Sequence, residues 1–321
     1  MSEARKRVVI VGGGPAGLAC ACALGAAGIS FLLVERDAPR NDPPTILHPD
    51  GVALLHAWGC DLPSLELQAE EVSGLRVCAD LAAVLRARAE QFPEGEVRHH
   101  AENVRLQQDE HGVTVDVRRG AAMDVDVVEA DFAIACDGTH SLLRRRLKVP
   151  LDEVPGEQVW VVADTPDAMP PALEVRLGRD GLPAARHALP DGTRWIVALG
   201  DDDDGQALDQ SEPLRALLTE RGIAAEISTI GRFRYFSMTE RLLRRWREGR
   251  VLFAGDAAHA TSPLWGLSPT LALLDAAAAS EAIQSGILEA YEAARRQSVL
   301  DVIAPDGANN LTAKLRAKAG V

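Results

Sequence analysis

No run of about 20 apolar residues occurs anywhere in this chain, so no segment reads as a membrane-spanning helix. Basic residues are also short: 34 Lys and Arg stand against 47 Asp and Glu, a formal charge of −13. That balance argues against nucleic acid or an anionic membrane as partner, since both call for a basic face. The two basic runs, Arg144–Arg146 and Arg241–Arg247, read as solvated helix faces. The five cysteines (Cys20, Cys22, Cys60, Cys78, Cys136) form no CxxC pair and have no metal-ligand spacing. They read as small buried thiols in a reducing cytoplasm, where the chain is expected to reside. Asp201–Asp204 lacks the alternation and glycine of a calcium loop and reads as a solvated turn. Internal repeats and low-complexity tails are missing too.

What is present begins at the N-terminus. At 321 residues and 47% hydrophobic, the chain can bury a sizeable core and is expected to hold two domains. The basic start followed by an apolar run resembles a signal peptide, but three glycines interrupt it. Arg7–Val11 is a short β-branched run suited to a buried parallel strand. Gly12-Gly13-Gly14-Pro15-Ala16-Gly17 follows and fits G-x-G-x-x-G. An Ala/Leu-rich helix runs to Gly28, and Ile29–Val34 is a second strand ending in Glu35 and Arg36. Gly12 permits a tight turn, Gly14 a close backbone approach to a pyrophosphate, and Gly17 close packing of helix on sheet. The helix N-terminus favours phosphate, and a carboxylate about 20 residues on suits the hydroxyls of a ribose. Strand, glycines, helix, strand and acid in that order specify a dinucleotide site.

Further along, Arg36–Thr45 reads as a loop and Ile46–Trp58 as a loop opening a helix with Asp50 as N-cap. Gly59–Arg76 reads as an irregular connection and Ala79–Gln91 as a helix. Val97–His99, Val104–Gln107, Val113–Val117, Val125–Glu129 and Phe132–Cys136 read as strands. After Pro150 four strand-like segments (Val159–Ala163, Leu173–Leu177, Ala185–Leu189, Arg194–Leu199) and a helix at Pro213–Arg221 suggest an antiparallel sheet. From Phe233 the chain is expected to turn helical, then to form a strand at Arg250–Ala254 and Ala-rich helices at Leu271–Ser285 and Glu289–Lys318. The fold class is α/β: a Rossmann-like domain of residues 1–150 and 233–321 with a small antiparallel-sheet domain of residues 151–232.

Cys136–Arg144 (CDGTHSLLR) and Arg250–Gly266 (RVLFAGDAAHATSPLWG) each place an Asp beside a Gly at a strand's carboxyl end, where open α/β sheets bind ligands. Together with VGGGPAGLA, ILHPDGVALLHAWG and LEAYEAARRQSV, these stretches resemble the class A flavoprotein monooxygenases, the para-hydroxybenzoate hydroxylase and ubiquinone-biosynthesis hydroxylase-like family, over nearly the whole chain. The resemblance implies FAD as cofactor and NAD(P)H as transient co-substrate. Gly12, Gly14, Pro15, Ala16 and Gly17 would hold the pyrophosphate, Glu35 and Arg36 the adenosine ribose, and the Val104 backbone the adenine. Asp137, Gly138, Ser141 and Arg144 match the motif associated with FAD and the nicotinamide; Gly255 and Asp256 would meet the ribityl chain. Pro263, Gly266, Ser268, Pro269 and Thr270 would form the loop past the isoalloxazine ring. Asp137 and Asp256 are equally readable as helix N-caps, and one Asp can do both jobs.

The resemblance further implies that the family's reduced flavin reacts with O₂ to a C4a-hydroperoxide that hydroxylates an aromatic or polyketide-like small molecule. The chain has no second glycine-rich fingerprint, which suits a nicotinamide that visits without its own domain. His48 is the candidate base toward a phenol, with a polar loop histidine as the alternative. Arg176, His187 and Trp195 on strands, and Trp265 in the flavin loop, are candidate substrate contacts; strand faces alternate, so about half would point elsewhere. His259 reads as structural.

Three departures stand out. Gly266-Leu267-Ser268-Pro269-Thr270-Leu271-Ala272 replaces the usual Gly-Gln-Gly-x-Asn-x-Gly, Cys78 replaces an Arg, and the Gly59–Arg76 connection is short. The alternatives to a monooxygenase are a related reductase or oxidase without oxygen insertion, and a non-redox protein that keeps the fold. A halogenase fits poorly, because the lysines are only Lys6, Lys148, Lys314 and Lys318. The expected partners are substrate and O₂, with a monomer or homodimer as the assembly.

Overall fold

The computed structural model describes residues 6–70, 72–119, 125–223, 225–304 and 310–319. Its central strand is Lys6–Val11, apolar and buried from Val8 onward, paired in parallel with Phe31–Val34 on one side and with Val125–Ala135 on the other. Gly95–Arg98 and Val251–Phe253 extend the parallel set outward in both directions. The helices Pro15–Ala26, Leu81–Ala89 and Leu267–Ser285 pack together on it, with Pro15–Ala26 between the other two. Gly28, at φ +69°, ends the first helix as its position suggests.

Val125–Ala135 is one strand where two were expected. Its first half runs antiparallel to Val113–Arg119 and its second half parallel to the central strand. The polar pair Glu129 and Asp131 hides this continuity, because each lies on a face that period-2 alternation leaves to the surface. Ala101–Gln108 and Val113–Arg119 form the expected hairpin, its turn held by Asp109 Oδ1 accepting from His111 N and Gly112 N at 2.7 and 3.0 Å.

The antiparallel half is larger than expected. Its six strands run in the order Leu173–Leu177, Pro183–Leu189, Gly192–Leu199, Leu151–Thr165, Arg232–Leu243, His259–Ala260. The chain does not turn helical at Phe233. Arg232–Leu243 is a strand antiparallel to Leu151–Thr165, with Leu151 opposite Leu243 and Asp164 opposite Arg232 and a register shift between Glu153 and Glu157. Its arginines and leucines mimic helical spacing, but Phe233, Tyr235, Phe236 and Thr239 favour a pleated surface once a partner strand is present. Gly59–Arg76 is likewise not irregular: Ser64–Leu67 pairs with Leu75–Cys78, and Thr45–Leu47 completes a three-stranded sheet. A bridge from Gln68 to Ala172 joins that small sheet to the edge of the large one.

Helix starts differ in two places. Pro49, not a residue after Asp50, opens the helix Pro49–Ala57, with His48 as the extended N-cap residue. Proline at the first helical position has its φ preset and no N–H to lose. The long helix begins at Leu267, capped by Gly266 at φ +61°, so Ser268, Pro269 and Thr270 stand in its first turn rather than in a loop. Leu288–Ile303 and Leu311–Ala319 are the last helices; within the expected Glu289–Lys318 helix, residues 305–309 lie outside the described residues. Among the described residues no helix is long and apolar enough to cross a membrane, and no cluster of His, Cys, Asp and Glu is suited to a metal ion.

Period-2 alternation divides the antiparallel sheet into two faces. One packs Val161, Trp195 and Val197 against Leu214 and Leu218 of the helix Ser211–Glu220. The other packs Trp160, Ile196 and Ala198 against Leu264 and Trp265. The basic run at Arg241–Arg247 is tied down by acids, Arg244 by Asp152 at 2.5 Å and Arg247 by Glu289 at 2.9 Å.

Candidate functional site

Three glycine corners meet at the carboxyl ends of the parallel strands. Gly12 has φ +109°, and a Cβ there would lie 2.2 Å from the Cys136 carbonyl oxygen. A Cβ on Gly17 would lie 1.8 Å from the Gly12 carbonyl, so the helix Pro15–Ala26 can sit this close only with glycine. Gly14 is different: a Cβ there would meet nothing within 4 Å, which leaves its outer face open. It is the N-cap residue and offers no side-chain cap, and the first intrahelical bond is Leu18 N to Gly14 O at 3.0 Å. The N–H groups of Ala16 and Gly17 therefore precede the hydrogen-bond ladder and face outward as donors. Glu35 folds over this loop, its Oε2 accepting from Gly13 N at 2.6 Å and its Oε1 from Asp37 N at 2.8 Å. Gly13, Gly14, Glu35, Arg40 and His99 line a small pocket there. Arg36 is exposed and pairs with Asp37. The hairpin register shifts between Asn103 and Arg105, so the Val104 backbone is the extra residue of a bulge.

Asp137 and Gly138 form the second corner. Asp137 Oδ2 accepts from Leu143 N at 3.0 Å, while its Oδ1 is buried without a partner. Ser141 is the N-cap of the short helix Leu142–Arg146, its Oγ accepting from Arg144 N at 3.0 Å. Arg144 is buried and spends two nitrogens on backbone carbonyls, of Ala257 at 3.0 Å and Thr139 at 2.8 Å. It braces the second corner against the third. Burial, followed by the nearby Arg241 charge, holds its pKa below the usual arginine range.

At the third corner Gly255 has φ +60°, and a Cβ there would lie 2.5 Å from Ala16 Cβ, in contact with the first corner. Asp256 accepts from Thr139 and Ser268 hydroxyls, each at 3.2 Å. Neither it nor Asp137 is an N-cap of a regular helix: Asp256 lies within a 3₁₀ turn. Behind Gly255 lies a wholly buried network that the sequence reading did not single out. Asp275 Oδ2 accepts from Gly255 N at 2.9 Å and from His259 Nε2 at 2.7 Å, and its Oδ1 from Arg295 Nε at 2.8 Å. Burial alone would raise the Asp275 pKa, but His259 and Arg295 outweigh it and hold the carboxyl below its usual range. A lone Asp in the apolar run LALLDAAAAS is the available signal, since a buried charge must find partners.

The segment before the long helix gathers some of the candidate substrate residues and not others. His48 is buried; its N–H donates to Thr270 Oγ1 at 2.9 Å and its Nε2 donates to the Trp265 carbonyl at 2.9 Å. His187 Nε2 donates to the preceding carbonyl, of Leu264, at 2.8 Å. Two imidazoles thus hold successive carbonyls. Burial lowers the pKa of both, that of His187 to about 4. Trp265 is buried here too, its Nε1 donating to Thr312 Oγ1 at 2.9 Å. Arg176 and Trp195 stand apart. Arg176 is opposite Ala184, on the face that carries the helix Ser211–Glu220, and pairs with Glu174 at 3.0 Å. Trp195 is fully buried against that helix, with Nε1 donating to Thr165 Oγ1 at 3.1 Å. Neither reaches the Trp265 side.

Comparison with known proteins places this geometry in a family. The family described as "FAD binding domain" matches residues 5–62 and 56–304. The chain belongs to that family. It is 29% identical, over 91% of its own length and 60% of the relative's, to 3-(3-hydroxy-phenyl)propionate/3-hydroxycinnamic acid hydroxylase 2 of Burkholderia vietnamiensis. It is 33% identical, over 81% of itself and 61% of the relative, to dialkyldecalin synthase of Streptomyces rugosporus. Among solved structures, OxyS anhydrotetracycline hydroxylase from Streptomyces rimosus superposes with a TM-score of 0.71 at 27% identity, covering 99% of this chain and 71% of that one. The chain spans about 60% of the length of these curated relatives.

The residues present fit FAD as this family's cofactor. The space outside Gly14 and Gly138, where a Cβ would meet nothing within 4 Å, provides close backbone approach. The unladdered N–H groups of the first helix suit a pyrophosphate, and Asp137 Oδ1 is a buried acceptor still lacking a donor. Thr270, like Ser141 and Arg144, is buried with its polar group already taken, its hydroxyl by His48 N.

Proposed function

We propose that this chain is an FAD-dependent monooxygenase that uses NAD(P)H and O₂ to hydroxylate an aromatic or polyketide-like small molecule. The observation that carries the reading is the meeting of the Gly12–Gly17, Asp137-Gly138 and Gly255-Asp256 corners beside an antiparallel sheet faced by Leu264 and Trp265. FAD when bound supplies the electron transfer from NAD(P)H and the activation of oxygen. The chain's part is binding, orientation and exclusion of water. Gly12, Gly14, Ala16 and Gly17 hold the pyrophosphate, Glu35 the adenosine ribose, and the bulged Val104 backbone the adenine. Asp137, Gly138 and Asp256 meet the remaining cofactor oxygens, with Ser141, Arg144 and Gly255 keeping those corners in place. Pro263, Gly266, Ser268 and Pro269 border the ring system.

His48 and His187 act in this reading as positioning residues rather than bases. Each spends Nε2–H on a carbonyl of the segment that carries Trp265, which fixes that segment over the sheet. The antiparallel sheet serves as the substrate wall, and Arg232–Leu243 belongs to it. Five free thiols support a reducing, cytoplasmic setting, with the chain acting as monomer or homodimer. The test is a flavin spectrum of the purified protein, followed by a screen for substrate-stimulated NAD(P)H consumption and for product labelled from ¹⁸O₂. Labelled product sustains the reading, whereas peroxide alone across the panel favours a reductase or oxidase. A second reading has its own support: the 33% identity to dialkyldecalin synthase favours a non-redox ring-forming role on the same fold. Substrate conversion without NAD(P)H or O₂ would select it.

A further inference from the structure

The two edges of the antiparallel sheet are finished differently. At one, Leu173–Leu177 is met by the small sheet through the bridge from Gln68 to Ala172. At the other, Arg232–Leu243 has as outer neighbour only the two-residue strand His259–Ala260, opposite Leu242 and Arg241. Beyond Ala260 the chain leaves the edge, and Ser262 N donates to the Glu240 side chain at 2.8 Å. Arg232–Glu240 therefore has no strand on its outer side among the described residues. A bare edge of this length is a template for another strand, and proteins that keep one usually blunt it with proline, lysine or a bulge. This stretch contains no proline, glycine or lysine, and the bulge lies in its inner partner, between Glu153 and Glu157. Tyr235 is 49% exposed, and Phe233, Phe236 and Met238 are only half-buried.

The strand's own bonds fix which groups face outward. Leu243 N donates to the Ala258 carbonyl at 2.8 Å, toward the outer neighbour, and Arg244 N to the Pro150 carbonyl at 3.1 Å, toward the inner one. Main-chain groups of alternate residues point to opposite sides of an antiparallel strand, so Phe233, Tyr235, Ser237 and Thr239 present theirs outward. These residues are symmetric about Phe236. A second copy laid antiparallel, with both Phe236 residues on a twofold axis, sets Phe233 opposite Thr239 and Tyr235 opposite Ser237, and every outward N–H meets an outward carbonyl. The side chains agree with that register. Arg232 and Arg234 are exposed and have no ion-pair partner among the described residues. With the axis at Phe236, Arg232 lies opposite the second copy's Glu240, whose Oε1 is spent on Ser262 N and whose Oε2 is left for the arginine. Moving the axis toward Arg232 leaves Glu240 without a cation or sets Arg234 against itself. Moving it toward Glu240 runs the copy into His259–Ala260.

We propose that the Arg232–Glu240 edge is the interface between two copies of this chain, joined into one continuous antiparallel sheet across a twofold axis at Phe236. The proposed function leaves monomer and homodimer open, and this assignment does not depend on the oxygenase reading. Pairing covers Tyr235 on one face and Phe236 and Met238 on the other, and gives each Arg232 an acid. Self-matching selects a second copy over an unrelated strand: an unrelated partner would need an acid at the one place where this chain already carries Glu240.

Sedimentation velocity of the full FAD-loaded chain over a wide concentration range tests this, and a dimer is expected. Ser237→Pro removes an outward N–H without touching the bonds to Leu151–Thr165, so it should give a monomer that keeps its circular dichroism and melting curve. Arg232→Glu sets acid against acid at both ends of the interface and should weaken the dimer about tenfold or more. Register is read by cross-linking with oxidised glutathione, which takes up the two protons and two electrons as a pair of thiols closes to a disulfide. Phe236→Cys places two thiols across the axis and should give a covalent dimer, whereas Ser237→Cys, offset from its own copy, should not. Ser237→Pro and Arg232→Glu decide the matter if Phe236→Cys does not fold. A monomer at every concentration, whatever other protein the edge then takes, overturns the assignment. So does a dimer that survives Ser237→Pro, or one that cross-links no better through Phe236→Cys than through Ser237→Cys. None of these readouts involves turnover, so failure here leaves the oxygenase reading untouched, and a dimer that oxygenates nothing leaves this one standing.

Discussion

The two halves of the molecule build their share of the site from different materials. Around the parallel sheet the work is done by backbone: Gly12, Gly17 and Gly255 stand where any Cβ would collide, Glu35 and Arg144 spend their polar atoms on main-chain groups, and Asp275 ties Gly255 N to the buried His259 and Arg295. Around the antiparallel sheet it is done by side chains on alternating faces, with His48 and His187 gripping the segment that crosses it. Backbone cradles tolerate few residues and so recur as patterns. Side-chain walls depend on which face a strand presents, and that is decided by partners far away in the chain.

The largest effect expected from disturbing this contrast is at Asp275. Asp275→Ala leaves Arg295 buried without a counter-charge and frees Gly255 N, and should cost about 4 kcal/mol in urea denaturation. Flavin affinity should fall with it, since Gly255 sits against Ala16 of the first corner. A loss below 1 kcal/mol would show that the third corner does not depend on the buried network.

That network also shows where the sequence stops being legible. The fingerprint from Arg7 to Glu35 was readable because each glycine has a single steric reason to be there. So was the antiparallel character of residues 159–199, through turns at regular intervals. Asp275, by contrast, is explained only by Gly255, His259 and Arg295, each 16 to 20 residues away in the chain. Arg232–Leu243 looked helical because its partner, Leu151–Thr165, lies some 80 positions earlier and no local pattern announces it. The same holds for Trp195 and Arg176, whose face is set by the helix Ser211–Glu220.

Acid should separate the halves. His187 has its pKa lowered from 6.5 to about 4, mainly by burial, against the pull of the Leu264 carbonyl. The unfolded chain therefore binds a proton that the folded one refuses. Stability is full above pH 6.5 and falls as pH drops toward 4, by about 3 kcal/mol from this group. Asp275 acts lower: its depressed pKa supplies stability above the unfolded carboxylate value, lost only as pH falls through the folded one. Urea midpoints between pH 7 and 4.5 should fall in the wild type and flatten in His187→Gln. Equal slopes in the two proteins would remove His187 as the cause.

Smaller again are the glycines of the cradle. Gly17→Ala forces a Cβ into the Gly12 carbonyl and should cost about 2 kcal/mol, measurable as a lowered urea midpoint. Gly14→Ala points into open space, so stability should hold while FAD affinity, read by absorbance titration, drops. A change of equal size in both would mean that Gly14 serves packing and not the ligand.

The smallest effects come from a matched pair of tryptophans on the two faces of the antiparallel sheet. Trp195→Phe removes an N–H that is satisfied by Thr165 Oγ1, leaves that buried hydroxyl with only its bond to the Thr193 carbonyl, and trims a tightly packed ring. A loss of about 1–2 kcal/mol is expected. Trp160→Phe removes an N–H that has no acceptor, so the desolvation cost disappears along with the trimmed volume. The two terms oppose each other, and the ligand-free protein should change by less than about 0.5 kcal/mol. Thermal melts of the two variants side by side decide the matter. If Trp160→Phe destabilises as much as Trp195→Phe, the Trp160 indole has a partner of its own and its N–H carries no desolvation cost.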